Sequence, residues 1–466
     1  MQVKLKFLGG AKTVTGSRYL LEIDHLIILV DCGLFQGMKE YRLRNWDKFP
    51  IDPAQINLVI LTHAHIDHTG YLPKLVKEGF EGPIYCTFPT MELTKILLLD
   101  SAKLQEEEAA YAQKKGYSRH EKPQPLYTKE DAEKVFPLLQ PIYMEQEEKI
   151  NDRISFTYFN AGHILGAAIL KLKIKGENQE KKIVFSGDLG RYHDPIFNPP
   201  VRVPFEDILL MESTYGNRKQ SNPKPEEELG RAIRETFRNG GVAVIPAFAV
   251  GRTQMILYYL HLLLQKGKIP DIPIYVDSPM AIDVTKMYKD FSSYHRLCPV
   301  LEEEGCNPFL HKNLYYYQSQ ESSMSLNNLR GDAIIISASG MATGGRILHH
   351  LYHRLPNEQD SIIFVGYQAE GTRGRRILDG EETARMYGID VPVKAKVFYI
   401  EGLSAHADQD ELMEWAEGFT SRPKKVFLVH GEKEASEGLA FRLKEELDWH
   451  PIIPEYMESF ELFEGI

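Results

Sequence analysis

The stretch Leu61-Thr-His-Ala-His-Ile-Asp-His68 decides how this chain is read. It follows Ile56-Asn-Leu-Val-Ile-Leu61, an apolar, β-branched-rich run that predicts a buried strand. His63 and His65 are two residues apart and Asp67 and His68 are adjacent, so four ligand-type side chains crowd the end of that strand. A rigid element delivers them, and the loop that follows lets their directions diverge. The spacing HxHxDH differs from HExxH, in which two histidines share one helical face. Divergent directions from one short loop suit two metal ions better than one.

Matching residues recur at other strand ends. Ile154-Ser-Phe-Thr-Tyr-Phe159 reads as a strand running into Asn160-Ala-Gly-His163. Lys182-Ile-Val-Phe-Ser-Gly-Asp188 ends in an acid, with Gly187 before it and Gly190 after it. Val426-Phe-Leu-Val-His430 is a further strand, and Val30-Asp31-Cys-Gly33 ends an early one with a carboxylate. A single strand-terminal His or Asp is more often a turn former or helix cap. Several together, with glycines that allow close backbone approach, make one constellation on one rim of a sheet.

In this order the segments resemble the metallo-β-lactamase superfamily: Asp31, the HxHxDH block, His163, Asp188 and a late His430. Three more narrow the resemblance to its β-CASP nucleases. Glu212-Ser-Thr-Tyr-Gly216 is similar to the first β-CASP motif, Ser404-Ala-His406-Ala-Asp408 to the second, and Leu428-Val-His430-Gly-Glu432 to the third. The third has the histidine form found in RNA-processing members, as in the nuclease subunit of the cleavage and polyadenylation factor and its bacterial and archaeal relatives. The resemblance covers essentially the whole chain.

It implies an α/β fold: a metallo-β-lactamase αββα sandwich with an inserted parallel-sheet β-CASP domain. The strand and helix grammar agrees. Residues 1 to about 90 give short strands, 91 to about 145 read as helices, and 150–212 return to strands. From about 216, strand–loop–helix units repeat, as in Val242-Ala-Val-Ile245 and Ala333-Ile-Ile-Ile336, which predicts a parallel sheet with crossover helices. The expected domains are 1–215, the insert 216–390, and 391–466 completing the first. The insert is expected to cap the metal rim.

The resemblance also implies the site. His63, His65 and His163 would bind one metal, Asp67, His68 and His430 a second, and Asp188 would bridge them. Imidazole and carboxylate ligands suit two zinc ions per chain, with manganese as the alternative. The implied activity is zinc-dependent ribonuclease: metal hydroxide attacks RNA phosphodiester bonds, leaving 5′-phosphate and 3′-hydroxyl ends. Endonuclease action is favoured over 5′–3′ exonuclease. Asp67, His406 and Glu212 are the catalytic residues. His406 is the general acid, and Glu212 holds its tautomer. Asp31 orients a ligand histidine from behind. The Ser337-Ala-Ser339-Gly340 turn is the candidate phosphate site, with Ser278, Arg252 and Arg373 as further RNA-binding candidates. Two other readings are kept: another dinuclear-metal hydrolase of thioesterase type, and a non-catalytic RNA-processing scaffold.

Composition bounds these readings. The chain has 466 residues, 43% hydrophobic and 26% charged, as in a soluble globular protein. No apolar run approaches a membrane span, and the N-terminus already alternates as a strand, so the expectation is a cytoplasmic protein without signal peptide or membrane partner. Cys32, Cys86, Cys298 and Cys306 form no CxxC pair and are expected to be free thiols. The formal net charge of −10 argues mildly against nucleic acid, but local clusters such as Arg373-Gly-Arg375-Arg376 and the metal charges leave single-stranded RNA as the expected partner. A homodimer is compatible with all of this.

Overall fold

The computed structural model describes residues 2–115, 123–177, 179–203, 207–219, 224–297, 299, 301, 307–419 and 422–463. The strands, in chain order, are β1 (Val3–Phe7), β2 (Tyr19–Ile23), β3 (Leu26–Val30), β4 (Leu58–Ile60), β5 (Ile84–Thr87), β6 (Leu139–Ile142), β7 (Glu147–Lys149), β8 (Ile154–Asn160), β9 (Ala168–Lys175), β10 (Glu180–Phe185), β11 (Ile208–Glu212), β12 (Val242–Pro246), β13 (Ile274–Asp277), β14 (Leu314–Tyr316), β15 (Ala333–Ser337), β16 (Ser361–Val365), β17 (Thr383–Met386), β18 (Ile389–Pro392), β19 (Lys396–Ile400), β20 (Lys425–Val429) and β21 (Ser459–Phe463). Contacts divide the chain into two compact units, Met1–Lys219 with His406–Ile466, and Gln220–Ala405.

The first unit holds two sheets, ordered β21-β1-β2-β3-β4-β5-β6 and β20-β11-β10-β9-β8-β7. Their facing sides share one apolar core that includes Phe7, Leu21, Ile60, Phe156, Leu172, Phe185 and Phe427. Strand β1 shows how the sequence directs this: Val3, Leu5 and Phe7 are buried, and the lysines between them are not. Full burial of each such side chain contributes about 1.5–3 kcal/mol. Strand β4 is central and buried on both faces. Ile60 enters the inter-sheet core, and Val59 packs outward with Leu72, Leu75, Leu98 and Ala102 of the helices Leu72–Lys77 and Phe88–Lys115. That is the expected αββα arrangement.

Within each sheet the parallel strands point their C-terminal ends one way: β3, β4 and β5 in the first, and β10, β11 and β20 in the second. The second unit has an all-parallel sheet ordered β14-β13-β15-β12-β16-β19. Its core joins Val244, Ile335 and Phe364 to Ile347 and Leu351 of the helix Ile347–Arg354.

Two local expectations are corrected. Residues 139–142, read as helical, form edge strand β6, where Pro141 is tolerated; a proline there would break a helix. Strand β19, expected to return to the first domain, pairs in parallel with β16 from Ser361↔Lys396 to Val365↔Ile400. An apolar β-rich segment reads the same for either sheet, so its pattern cannot say which sheet takes it.

Candidate metal centre

Every candidate metal-ligating residue lies on the first unit, just past a strand's C-terminal end. Strand β4 leads through Thr62 to His63 and His65, and a short helix Ile66–Thr69 then carries Asp67 and His68. Strand β8 leads to His163, β10 to Asp188 and β20 to His430. The chain turns sharply at these ends. Asp31 and His430 have φ of +58° and +48°, and Gly162 and Gly187 precede their ligand residues at +70° and +56°. Two other glycines let the loops touch. A Cβ on Gly33 would fall 1.6 Å from the Asp67 carbonyl oxygen, and one on Gly190 would fall 1.9 Å from that of Gly162.

The side chains gather into two sets. His63 Nε2, His65 Nδ1 and His163 Nε2 converge, with His65 Nδ1 3.1 Å from the first and 3.3 Å from the last. Asp188 Oδ2 stands 3.4 Å from His63 Nε2 and 3.6 Å from His163 Nε2. In the second set His430 Nε2 is 3.3 Å from Asp67 Oδ2. Asp188 Oδ1 faces this set, 3.4 Å from His68 Nε2 and 3.5 Å from His430 Nδ1. Each of the groups His63–His65–His163–Asp188 and Asp67–His68–His430 has ligand atoms close enough for one ion.

The partners behind the imidazoles decide which nitrogen carries the proton. His68 Nδ1 lies 2.8 Å from Asp31 Oδ2, and that carboxylate also accepts from Thr62 N at 2.7 Å and Thr62 Oγ1 at 2.8 Å. Thr62 Oγ1 has given its proton to Asp31, so it accepts from His63 Nδ1 at 3.1 Å. Thr214 Oγ1 likewise donates to the His430 carbonyl at 3.0 Å and accepts from His430 Nδ1 at 3.1 Å. Three imidazoles therefore keep Nε2 as the lone-pair atom. His68 Nε2 and Asp188 Oδ1 are buried without a hydrogen bond among the described residues. Orphaned acceptors of this kind, beside carboxylates and neutral imidazoles, fit a divalent cation.

The electrostatics agree for the His63, His65 and His163 set. Burial pushes the His65 imidazole down to about 3, and it lowers His63 and His163 as well, so all three are neutral near pH 7, the ligating form. Burial opposes ionisation of Asp67 and Asp188, but the surrounding histidines hold both carboxyls below the usual range. His68 is raised: burial works against its charge, but Asp188 and Asp31 outweigh it.

His406 sits beside this centre, its ring centroid 4.4 Å from that of His163. Its Nδ1 is 3.2 Å from Glu212 Oε1. Glu212 is fully buried and accepts from Leu189 N at 2.6 Å, so its carboxylate is fixed in place. Asp188, Glu212 and His406 also form a third group with ligand atoms near one another.

The residues named for phosphate and RNA binding lie on the second unit, and most have structural partners. Ser278 caps the helix Pro279–Asp290 by accepting from Ala281 N, and Ser337 donates to the Asp277 carbonyl at 2.9 Å. Ser339 Oγ closes a turn onto Thr343, and Gly340 packs against Phe248. The Ser337–Gly340 turn does not open a helix; the next helix begins only at Ile347. Arg252 is buried with its guanidinium against Gly366. Arg373 donates to the carbonyls of Arg385 and Ala342, and Arg375 and Arg376 pair with Asp379 and Glu381. The expected local basic group is thus largely internally satisfied. Cys32 and Cys86 are free and buried, whereas Cys298 and Cys306 lie outside the described residues. Thr62 and Thr214 sit inside the quoted motifs, but nothing in the sequence marks them as partners of His63 and His430.

Comparison with known proteins adds three family models. A metallo-β-lactamase superfamily domain matches residues 20–200, a β-CASP domain 253–377, and a Zn-dependent metallo-hydrolase RNA specificity domain 390–454. The chain is 37% identical to ribonuclease TTHA0252 of Thermus thermophilus, over 91% of this chain and 92% of that protein. It is 34% identical to transcription termination factor FttA of Methanosarcina mazei, over 94% of this chain and 68% of the relative. An RNase J-like protein of Methanocaldococcus jannaschii is 31% identical over 97% and 98% of the two chains. A crystal structure of a protein of unknown function from Enterococcus faecalis aligns with TM-score 0.53 at 16% identity, covering 99% of this chain and 100% of that one. No helix among the described residues is long and apolar enough to cross a membrane.

Proposed function

This chain belongs to the β-CASP ribonuclease family of the metallo-β-lactamase superfamily and is a metal-dependent ribonuclease; within that family we propose a two-zinc phosphodiesterase acting on single-stranded RNA. The observation that carries the proposal is the placement of Asp188. Its two carboxylate oxygens face different ligand sets, Oδ2 toward His63 and His163, Oδ1 toward His68 and His430. One carboxylate between two sets is what a shared ligand requires.

His63, His65 and His163 with Asp188 would hold one ion, and Asp67, His68 and His430 with Asp188 the other. Ions held there supply Lewis acidity, lowering the pKa of water from 15.7 to about 7 and neutralising phosphate charge. Asp31 and Thr62 fix the tautomers of His68 and His63, and Thr214 that of His430. His406, backed by Glu212, donates a proton to the leaving 3′-oxygen. Water attacks rather than the RNA 2′-hydroxyl, so products carry 5′-phosphate and 3′-hydroxyl ends. Endonucleolytic cleavage is the favoured mode.

The test is digestion of one RNA labelled separately at each end, with 5′-monophosphate and 5′-triphosphate forms compared. Internal cuts with 3′-hydroxyl ends from both forms are expected. Products ending in 2′,3′-cyclic phosphate would refute water attack, and release of single nucleotides from the 5′ end would replace internal cleavage by exonuclease action.

A further inference from the structure

The second sheet of the first unit carries a basic face that the metal centre does not use. Along β8 and β9 the residues alternate. Phe156, Tyr158, Leu170, Leu172 and Ile174 enter the inter-sheet core, so Ser155, Thr157, Lys171, Lys173 and Lys175 stand on the opposite face. Register aligns these residues across neighbouring strands. Lys149, Ser155, Lys173 and Lys182 make one row, and Glu147, Thr157 and Lys171 the next. Among the described residues of β7–β10, the lysines on this face outnumber the acids, Glu147 and Glu180. Glu147 is 2.9 Å from Lys173 and accepts from Ser155, and Glu180 is 3.8 Å from Lys182. The excess is positive in a chain whose formal net charge is −10.

This face shares strands β8 and β10 with the centre, and Ile169 and Val184, buried on the same side, lie between Lys171 and the rim. Strand β8 runs into the His163 loop and β10 into Asp188. Lys171 pairs with Val184, four residues before Asp188, and so lies about 13 Å from it along the strand, with Lys182 at about 20 Å. We infer that the Lys171–Lys173–Lys182 face holds the single-stranded RNA that flanks the scissile bond. Lysines at every second position of β9 repeat at about 6.8 Å and can follow a polynucleotide backbone. Among the described residues, no large exposed hydrophobic side chain falls on β7–β10. A protein partner would need such an anchor; a polyphosphate backbone does not. The inference rests on the ribonuclease reading and extends it to a surface outside the centre.

The test compares wild type with the triple variant Lys171→Gln, Lys173→Gln, Lys182→Gln and with the same three lysines changed to Arg. Cleavage is measured on RNAs of about 6 and about 25 nucleotides, lengths below and above what one extended binding groove covers. Binding of the longer RNA is measured by fluorescence anisotropy across salt concentrations. The Gln triple should raise KM for the long RNA about tenfold with kcat unchanged, and leave the short RNA unaffected. Its log Kd–log salt slope should shrink by about 2, since each single-strand phosphate contact is worth about 0.7. The Arg triple should behave as wild type. Should the Gln triple melt early, Lys171→Gln alone should reduce the slope by about 0.7. An unchanged KM and slope on the long RNA would overturn the inference, and is also what a face for an acidic protein would give. Wild type that binds the long RNA but cleaves neither would instead count against the catalytic reading, and the slopes would still judge the face.

Discussion

Replacing Asp31 by Asn tests whether the residues behind the centre set its affinity for metal. Asp31 accepts three hydrogen bonds, from Thr62 N at 2.7 Å, Thr62 Oγ1 at 2.8 Å and His68 Nδ1 at 2.8 Å. Asn has the same shape but only one acceptor oxygen. That oxygen can keep the Thr62 backbone bond; the amide nitrogen then meets the Thr62 hydroxyl and His68 Nδ1, both of which present protons. Two hydrogen bonds to a charged group are lost, each worth about 1.5–3 kcal/mol. The least costly escape is for His68 to move its proton from Nδ1 to Nε2, the atom that faces Asp188. A protonated Nε2 cannot ligate. Zinc affinity should therefore fall about 10–100-fold, the usual cost of removing such a partner, with cleavage falling in parallel at limiting zinc. Competition against a chromophoric chelator measures this directly. An Asp31→Asn protein that binds zinc within twofold of wild type would refute the tautomer argument.

Other consequences follow for single groups. His406→Ala should keep near-full zinc content yet lose cleavage by about 10²–10⁴-fold, the worth of a general acid, with Glu212→Gln milder; loss of zinc or wild-type turnover would count against the assignment. Burial raises the Cys32 thiol to about 12 and Cys86 higher still, so neither should alkylate in native protein at mildly alkaline pH, as peptide mapping would read. The Ser155 hydroxyl and Lys173 hold the Glu147 carboxyl at about 2, below its ordinary 4.5. The bridge therefore stabilises fully above pH 4.5 and is lost as pH falls toward 2. Ser155→Ala should move the carboxyl's NMR titration upward, and an unmoved midpoint would contradict the assignment of cause.

The rim of candidate ligands was legible because its residues are unusual where they stand. Three histidines and an aspartate within His63–His68, then His163, Asp188 and His430 at later strand ends, have few other reasons to be there. What supports them was less visible. Thr62 and Thr214 use hydroxyls that occur throughout any chain, and only the fold shows which histidine Asp31 or Thr214 faces. The β9 alternation was readable as a strand, yet the lysine face depends on how β7, β8 and β10 are aligned beside it. The same limit explains β19, whose apolar pattern suits either sheet. Arg373 shows the converse: a long cationic side chain reads as a ligand for phosphate, while here it binds two backbone carbonyls.

The central claim is that Asp188 joins two metal sites, and zinc content per chain in wild type and Asp188→Asn tests it most directly. Protein purified without chelator and analysed by elemental mass spectrometry should carry about two zinc ions per wild-type chain. Asp188→Asn should carry far less, with RNA cleavage lost alongside. Active wild type without a bound transition metal, or Asp188→Asn that retains both ions, would contradict the account.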